Sequence, residues 1–335
     1  MTPTAGGSAS KDSDKPVAIV MAAGKSTRMK SERPKVLHEL CGKPVLGYVL
    51  DALTQAGVER KIVIVGYQAE LVKETFGKEP GVEFAVQTEQ LGTGHAVMMA
   101  EPALRNHTGS VIVIAGDQPL IRSRLVADIL RRRDETSAHA MIGTAIVPDP
   151  FGLGRILRDQ NGNFIGVVEQ KDASPEQALI KEINFSFYCF DGKELFGAIK
   201  RVRPENAQKE YYITDVPGIL RADGKRIVAE PLANEVDMFG INHRGHLAQA
   251  HRLMQERIIQ RHFDNGVTVV DPQSTYIDVR AEIGADTVLH PNTVIRGPVT
   301  IGKRCQIGPL AIVDAGVILA DDAVVEPFAH ARKYG

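Results

Sequence analysis

Two hydrophobic periods divide this chain. Up to about Ile241, short apolar runs alternate with longer amphipathic stretches. The runs at 61–65, 82–87, 111–115, 141–147 and 184–190 predict strands, and the stretches at 45–55, 95–103, 123–133 and 192–199 predict helices. This alternation predicts a doubly wound α/β domain, whose ligands would sit beyond the carboxyl ends of the strands. A helix at 246–262 then leads to a different rhythm. From Ile277 every sixth residue is aliphatic: Ile277, Ile283, Leu289, Ile295, Ile301, Ile307, Val313, Leu319 and Val325. A glycine often follows, as in Ile283-Gly284 and Ile301-Gly302, which is the hexapeptide pattern of a parallel β-helix. Three hexads close one coil, so the count gives about three coils, and so short a solenoid is expected to pack against copies of itself or the preceding helix.

The first apolar run, Val17-Ala18-Ile19-Val20-Met21, opens into Ala22-Ala23-Gly24. Residues this small let backbone N–H groups approach a phosphate or a base edge. Lys25, Arg28 and Lys35 add cations to the same neighbourhood, which suits a triphosphate. Gly24-Lys25-Ser26 is not a Walker A loop, because Ile19 stands where that motif needs its first glycine. Asp117, at the end of the run 111–115, is a candidate magnesium ligand, although a strand-end aspartate also commonly caps a turn. Asn242 offers a second hard oxygen. Gln87 carries the paired donor and acceptor that can read a base edge, and His95 reads as a structural hydrogen-bonding histidine.

Composition removes several function classes. A formal charge of −1 over 335 residues argues against general nucleic-acid binding. Cys41, Cys189 and Cys305 are too far apart for a metal spacing or a disulfide framework, which points to a reducing cytoplasm. The first fifteen residues lack an apolar core and read as a disordered leader, and no apolar stretch is long enough to span a bilayer.

Together these segments resemble the bacterial N-acetylglucosamine-1-phosphate uridyltransferase family of the GlmU type. The matching motifs are Ala22-Ala23-Gly24 with Thr27-Arg28-Met29, Pro34-Lys35-Val36-Leu37-His38, Gln90-Leu91-Gly92-Thr93-Gly94-His95, Gly116-Asp117, Gly154-Arg155-Ile156, Asn206-Ala207-Gln208 and Tyr211-Tyr212-Ile213-Thr214-Asp215. The resemblance implies a nucleotidyltransferase domain at 16–241, a linker helix at 242–265 and a short left-handed β-helix at 266–330, after a leader at 1–15. It implies Mg²⁺-dependent uridylyl transfer from UTP to N-acetylglucosamine 1-phosphate, and a homotrimer formed through the β-helix. By position, Ala22, Ala23, Gly24, Gln87, Gly92 and Thr93 would hold the uridine. Arg28 and Lys35 would hold phosphates, and Asp117 with Asn242 the metal. Gly154, Glu169 and Asn184 would line the sugar pocket, with Tyr211 and Thr214 nearby.

Three positions depart from the family pattern: Ala115, the pair Phe185-Ser186 after Asn184, and His243 after Asn242. Phe185 is expected to reshape the acetamido wall, which keeps another sugar 1-phosphate or nucleotide as the alternative substrate. The repeat is shorter than in bifunctional members, so no acetyltransferase activity is expected. The rival readings are an acyltransferase using His290 or His330, and a non-catalytic nucleotide sensor.

Overall fold

The computed structural model describes residues 13–333, so most of the expected leader lies outside the described residues. The chain divides into two units. One runs up to Leu37 and resumes over Leu46–Gly240; the other holds His38–Val45 and the chain from Ile241.

The elements, in order, are β1 (Val17–Met21), β2 (Glu39–Leu40), β3 (Lys43–Pro44), α1 (Val45–Gln55), β4 (Arg60–Val65), α2 (Ala69–Phe76), β5 (Val82–Val86), α3 (Thr93–Met98) and α4 (Glu101–Leu104). There follow β6 (Ser110–Ala115), α5 (Ser123–Thr136), β7 (Ala140–Ile146), β8 (Gly154–Arg158), β9 (Phe164–Val168) and α6 (Pro175–Ala178). β10 (Glu182–Asp191), α7 (Gly192–Ile199), α8 (Val216–Ala222) and β11 (Ile227–Pro231) complete the first unit.

Its sheet has the order β11-β7-β10-β6-β1-β4-β5, with β8 and β9 attached to β10. β5, β4, β1 and β6 are parallel, whereas β10 runs antiparallel to β6 and β7. Alternation along each strand feeds two cores. Ala18, Val20, Val63, Val65, Ile112 and Ile114 pack on one face with α1, α2 and α5. Val17, Ile19, Ile62, Ile64, Val111 and Val113 pack on the other with α3, α7 and α8. The buried positions Leu46, Val49, Leu50 and Leu53 of α1 recur at the spacing that aligns one helical face.

The helix expected at 95–103 is two helices, broken between Met98 and Glu101. Pro102 is the reason: it has no N–H to donate, so it fits only the first turn of a new helix, where α4 carries it. The strand expected at 184–190 is longer and is interrupted by a bulge between Asn184 and Tyr188.

In the second unit β2 and β3 form an antiparallel hairpin, and α9 (Arg244–Asp264) precedes a stack of two-residue strands. These form three parallel sheets of four, four and three strands, and each aliphatic of the six-residue repeat closes one strand. Val269, Leu289, Ile307 and Val325 stack in one column; Ile277, Ile295 and Val313 stack in a second. Corner residues take positive φ at Asp286, Arg304 and Asp322, and again at Asn292, Leu310 and Phe328, so each coil spans three hexads. Among the described residues no helix is long and apolar enough to cross a membrane.

Candidate active site

The carboxyl ends of β1, β4, β5 and β6 bring four loops of the first unit together, as parallel strands of one sheet must. The first is the small-residue turn after β1. Ala22 N–H donates to the Ile64 carbonyl at 2.9 Å, and Tyr67 N–H donates to the Ala23 carbonyl at 3.2 Å. Gln90 braces the same turn with both ends of its amide: Nε2 donates to Ala23 O at 3.0 Å, and Oε1 accepts from Lys25 N–H at 3.3 Å. A Cβ on Gly24 would meet nothing within 4 Å, so protein packing does not demand this glycine. Gly66 is different, because a Cβ there would lie 2.8 Å from Ala23 O and 3.0 Å from Gln87 O. Arg28 sits beyond the turn on a short 3₁₀ helix, Thr27–Met29, flanked by Ser26 and Lys30 in left-handed conformations.

Lys35 and Asp117 meet. The Lys35 ammonium forms an ion pair and hydrogen bond with Asp117 Oδ2, and both side chains are largely buried, at 15% and 20% exposure. Gly116 brings the aspartate close to β1: its N–H donates to Met21 O at 2.9 Å, and a Cβ would press on Leu46 and Ala22. Asp117 thus presents a hard carboxylate oxygen, the ligand type a divalent ion takes, and in this structure Oδ2 is engaged by the Lys35 ammonium. Among the described residues no cluster of three or more His, Cys, Asp or Glu could hold a metal ion. Asn242 belongs to the second unit, two residues before α9.

Gln87 is buried, and its Nε2 is shared between Gly92 O at 3.1 Å and His95 Nδ1 at 3.0 Å. Both contacts engage the amide nitrogen, so the protein itself takes up the donor side of the Gln87 amide. His95 orients this amide, as a structural histidine would. Gly92, at φ 107°, and Gly94 pack on the next segment, since a Cβ on either would lie within 3 Å of Tyr211 O. Tyr211 N–H donates to Leu91 O at 2.8 Å, Gly94 N–H to Tyr211 O at 2.7 Å, and Ile213 N–H to Thr93 Oγ1 at 3.1 Å.

That segment leads to the expected sugar residues. Thr214 is buried and hydrogen-bonds the Glu169 carboxyl. Both Glu169 oxygens lie 3.4 Å from where a Gly154 Cβ would stand, and Gly154 is paired with Asn184 across the β8–β10 ladder. Gly154, Glu169, Asn184 and Thr214 therefore share one place. Beside them Arg155 is 1% exposed and staples this corner, donating to Leu153 O, to Gln170 Oε1 at 2.8 Å and to Ala178 O at 3.2 Å.

Phe185 does not form an acetamido wall. Its ring is 3% exposed and stacks on Phe187 at 5.8 Å, within the core on the α1 side of the sheet. Strand alternation is the cause: Ile183, Phe185, Phe187 and Cys189 face that core, and Tyr188 and Phe190 face the opposite one. Sequence reasoning passed over Gln90, Gly66 and Gln118. Gln90 lay inside a quoted motif without a role, and the other two act only through residues distant in sequence.

Burial pushes the Glu169 carboxyl up from its ordinary value of 4.5, and Asp172, Asp215 and Glu210 push the same way against the Thr214 hydrogen bond. A raised folded-state value means that the folded chain holds a proton the unfolded chain releases. Stability therefore falls as pH rises from 4.5 through the folded value, and the penalty persists above it. Glu169→Gln is expected to melt above the wild type at neutral pH and to match it below about pH 4. Thermal melts at the two pH values check this.

His290 and His330 sit on the β-helix, where Nε2 of His290 contacts Gln306 at 3.1 Å and Nε2 of His330 contacts Asp314 at 2.7 Å.

Comparison with known proteins gives two family matches: the MobA-like NTP transferase domain over residues 18–163, and the bacterial transferase hexapeptide over residues 280–315. The chain is 43% identical over 333 residues to the bifunctional protein GlmU of Heliobacterium modesticaldum, covering 95% of this chain and 72% of that protein. The GlmU of a Geobacillus species is 44% identical over 330 residues (94% and 72% covered), and that of Exiguobacterium sibiricum is 46% identical over 331 (94% and 73%).

Proposed function

The chain belongs to the GlmU family, and on that premise we propose that it transfers a uridylyl group from UTP to N-acetylglucosamine 1-phosphate, releasing pyrophosphate. The observation that carries the reading is the meeting of Lys35 with Asp117 at the strand ends beside the small-residue turn. A phosphate oxygen of the sugar 1-phosphate attacks the α-phosphorus of UTP in line, and the bond from that phosphorus to the β-phosphate bridge breaks. The attacking group is an anion at neutral pH, so no protein nucleophile is needed. Catalysis rests on alignment and on neutralising charge.

In this reading the turn 22–24 and Gln87 receive the uridine, with Gly92 and Thr93 shaping the same pocket. Arg28 and Lys35 hold phosphates. Gly154, Glu169 and Asn184 receive the sugar, supported by Tyr211 and Thr214. Mg²⁺ at Asp117 would add neutralising charge to the nucleotide phosphates. Asn242 as its second ligand rests on the sequence resemblance, and an Asn242→Ala variant assayed across Mg²⁺ concentrations tests it. Phe185 is buried in the core, so its ring does not itself narrow the sugar pocket, which is compatible with N-acetylglucosamine. Assembly into a trimer is assigned to the β-helix, which exposes Ile318, Val324 and Phe328. The cytoplasm is the compartment where these substrates would be met.

The test is a panel of sugar 1-phosphates and nucleoside triphosphates scored by pyrophosphate release. UTP with N-acetylglucosamine 1-phosphate is expected to give the highest kcat/KM. A higher value with another pair would reassign the substrate.

A further inference from the structure

Gln118 follows Asp117 and is 6% exposed. Its Nε2 donates to the Phe185 carbonyl at 2.6 Å. That carbonyl lies where β10 has lost its ladder: pairing with β7 stops at Asn184 and resumes at Tyr188, and pairing with β6 begins only at Phe187. Within the gap Ser186 holds φ 61°, a conformation that side chains disfavour. The Gln118 side chain thus supplies the hydrogen bond that the interrupted sheet does not. At this gap Gln118 Oε1 is enclosed and has no hydrogen-bond partner among the described residues, and the buried Tyr188 hydroxyl lies against the Asn184 and Ser186 side chains. Orphaned polar groups and disfavoured backbone are costly to a fold, and they gather where geometry serves function.

We propose that Gln118 is a positioning residue that locks the bulge carrying Asn184 to the turn carrying Asp117. It thereby fixes the sugar 1-phosphate against the nucleotide. The inference rests on the uridylyl-transfer reading. In-line displacement requires the reacting atoms within about 3–3.5 Å. Asp117 and Asn184 come from β6 and β10 beyond the last rung that joins those strands, so the ladder alone does not set their separation.

Kinetics of two variants test this, each with a thermal melt to confirm folding. Gln118→Leu removes the donor and is expected to raise KM for N-acetylglucosamine 1-phosphate and lower kcat, each by about tenfold, with KM for UTP within about twofold of wild type. Gln118→Asn keeps the amide but shortens its reach by one methylene, so the bond to the Phe185 carbonyl is lost or stretched, and the same pattern is expected with a smaller change of about threefold. A general loss of folding would affect both substrates alike. Folded Gln118→Leu or folded Gln118→Asn with wild-type constants would overturn the inference alone. If Gln118→Leu does not fold, the Gln118→Asn constants decide. Wild type that releases no pyrophosphate from any sugar 1-phosphate overturns the functional reading and this inference with it.

Discussion

Asp117→Asn is expected to slow pyrophosphate release by about 10³-fold while the protein still folds, melting several degrees below wild type. The substitution keeps the size of the side chain and an oxygen that can accept from Lys35, so packing at the end of β6 is preserved. What disappears is the negative charge. Without it the site loses its hard anionic ligand for a divalent ion, and the Lys35 ammonium loses its counter-charge. Lys35 and Asp117 are both largely buried, so removing the charge also weakens an ion pair that stabilises the fold, but by far less than it lowers the rate. Steady-state kinetics at saturating Mg²⁺, with a melt of the same sample, check both halves. A variant that kept wild-type turnover would remove Asp117 from the machinery.

Two glycines separate ligand space from protein space. Gly24→Ala places its methyl group in open volume and needs no left-handed backbone, so stability is expected to hold or to rise by about 0.5 kcal/mol through the unfolded chain. UTP affinity is nevertheless expected to drop at least about tenfold, because the methyl group occupies the approach that the nucleotide requires. Gly92→Ala drives its Cβ to 2.6 Å from the Tyr211 carbonyl at φ 107°. The segment 211–214 must shift, Thr93 and Gly94 lose their bonds to it, and the Thr214 hydroxyl moves from Glu169. A destabilisation of about 2–4 kcal/mol is expected, with both substrates bound more weakly. Denaturant melts and UTP titrations of the two variants give opposite patterns if this division is right.

Much of this architecture is local and therefore legible in the sequence. The turn after β1 announces itself by residue size and the cations that follow. The hexad announces the β-helix because each inward aliphatic acts alone. The bounds of α1 and α7 were readable because apolar spacing and terminal signals agree, as with the Asp191 cap of α7, which accepts from Lys193 and Glu194 N–H. Pro102 held the signal for the break between α3 and α4, which periodicity alone overrode. The direction of Phe185 was also encoded, since it shares its parity with Phe187 and Cys189 along β10.

Other features depend on contacts that no window of sequence contains. Gln87 loses its donor to Gly92 and His95 only once that loop folds back. The bond from Gln118 spans 67 positions. The β8–β9 hairpin that carries Gly154 and Glu169 lacked a strong alternating pattern, because a charged residue, Arg155, occupies a fully buried position within it. The grouping of His38–Val45 with the second unit likewise follows from tertiary contacts, among them a Gly42 whose missing side chain makes room for the Asp278 carboxylate.

The central claim is that the first unit gathers UTP and a sugar 1-phosphate for displacement at the α-phosphorus. Phosphorus NMR of wild-type protein with UTP, N-acetylglucosamine 1-phosphate and Mg²⁺ tests it most directly. Equal accumulation of UDP-N-acetylglucosamine and pyrophosphate, stopped by chelating the metal, is the result expected. Unchanged substrates, or release of inorganic phosphate through cleavage between the β- and γ-phosphates, would contradict it.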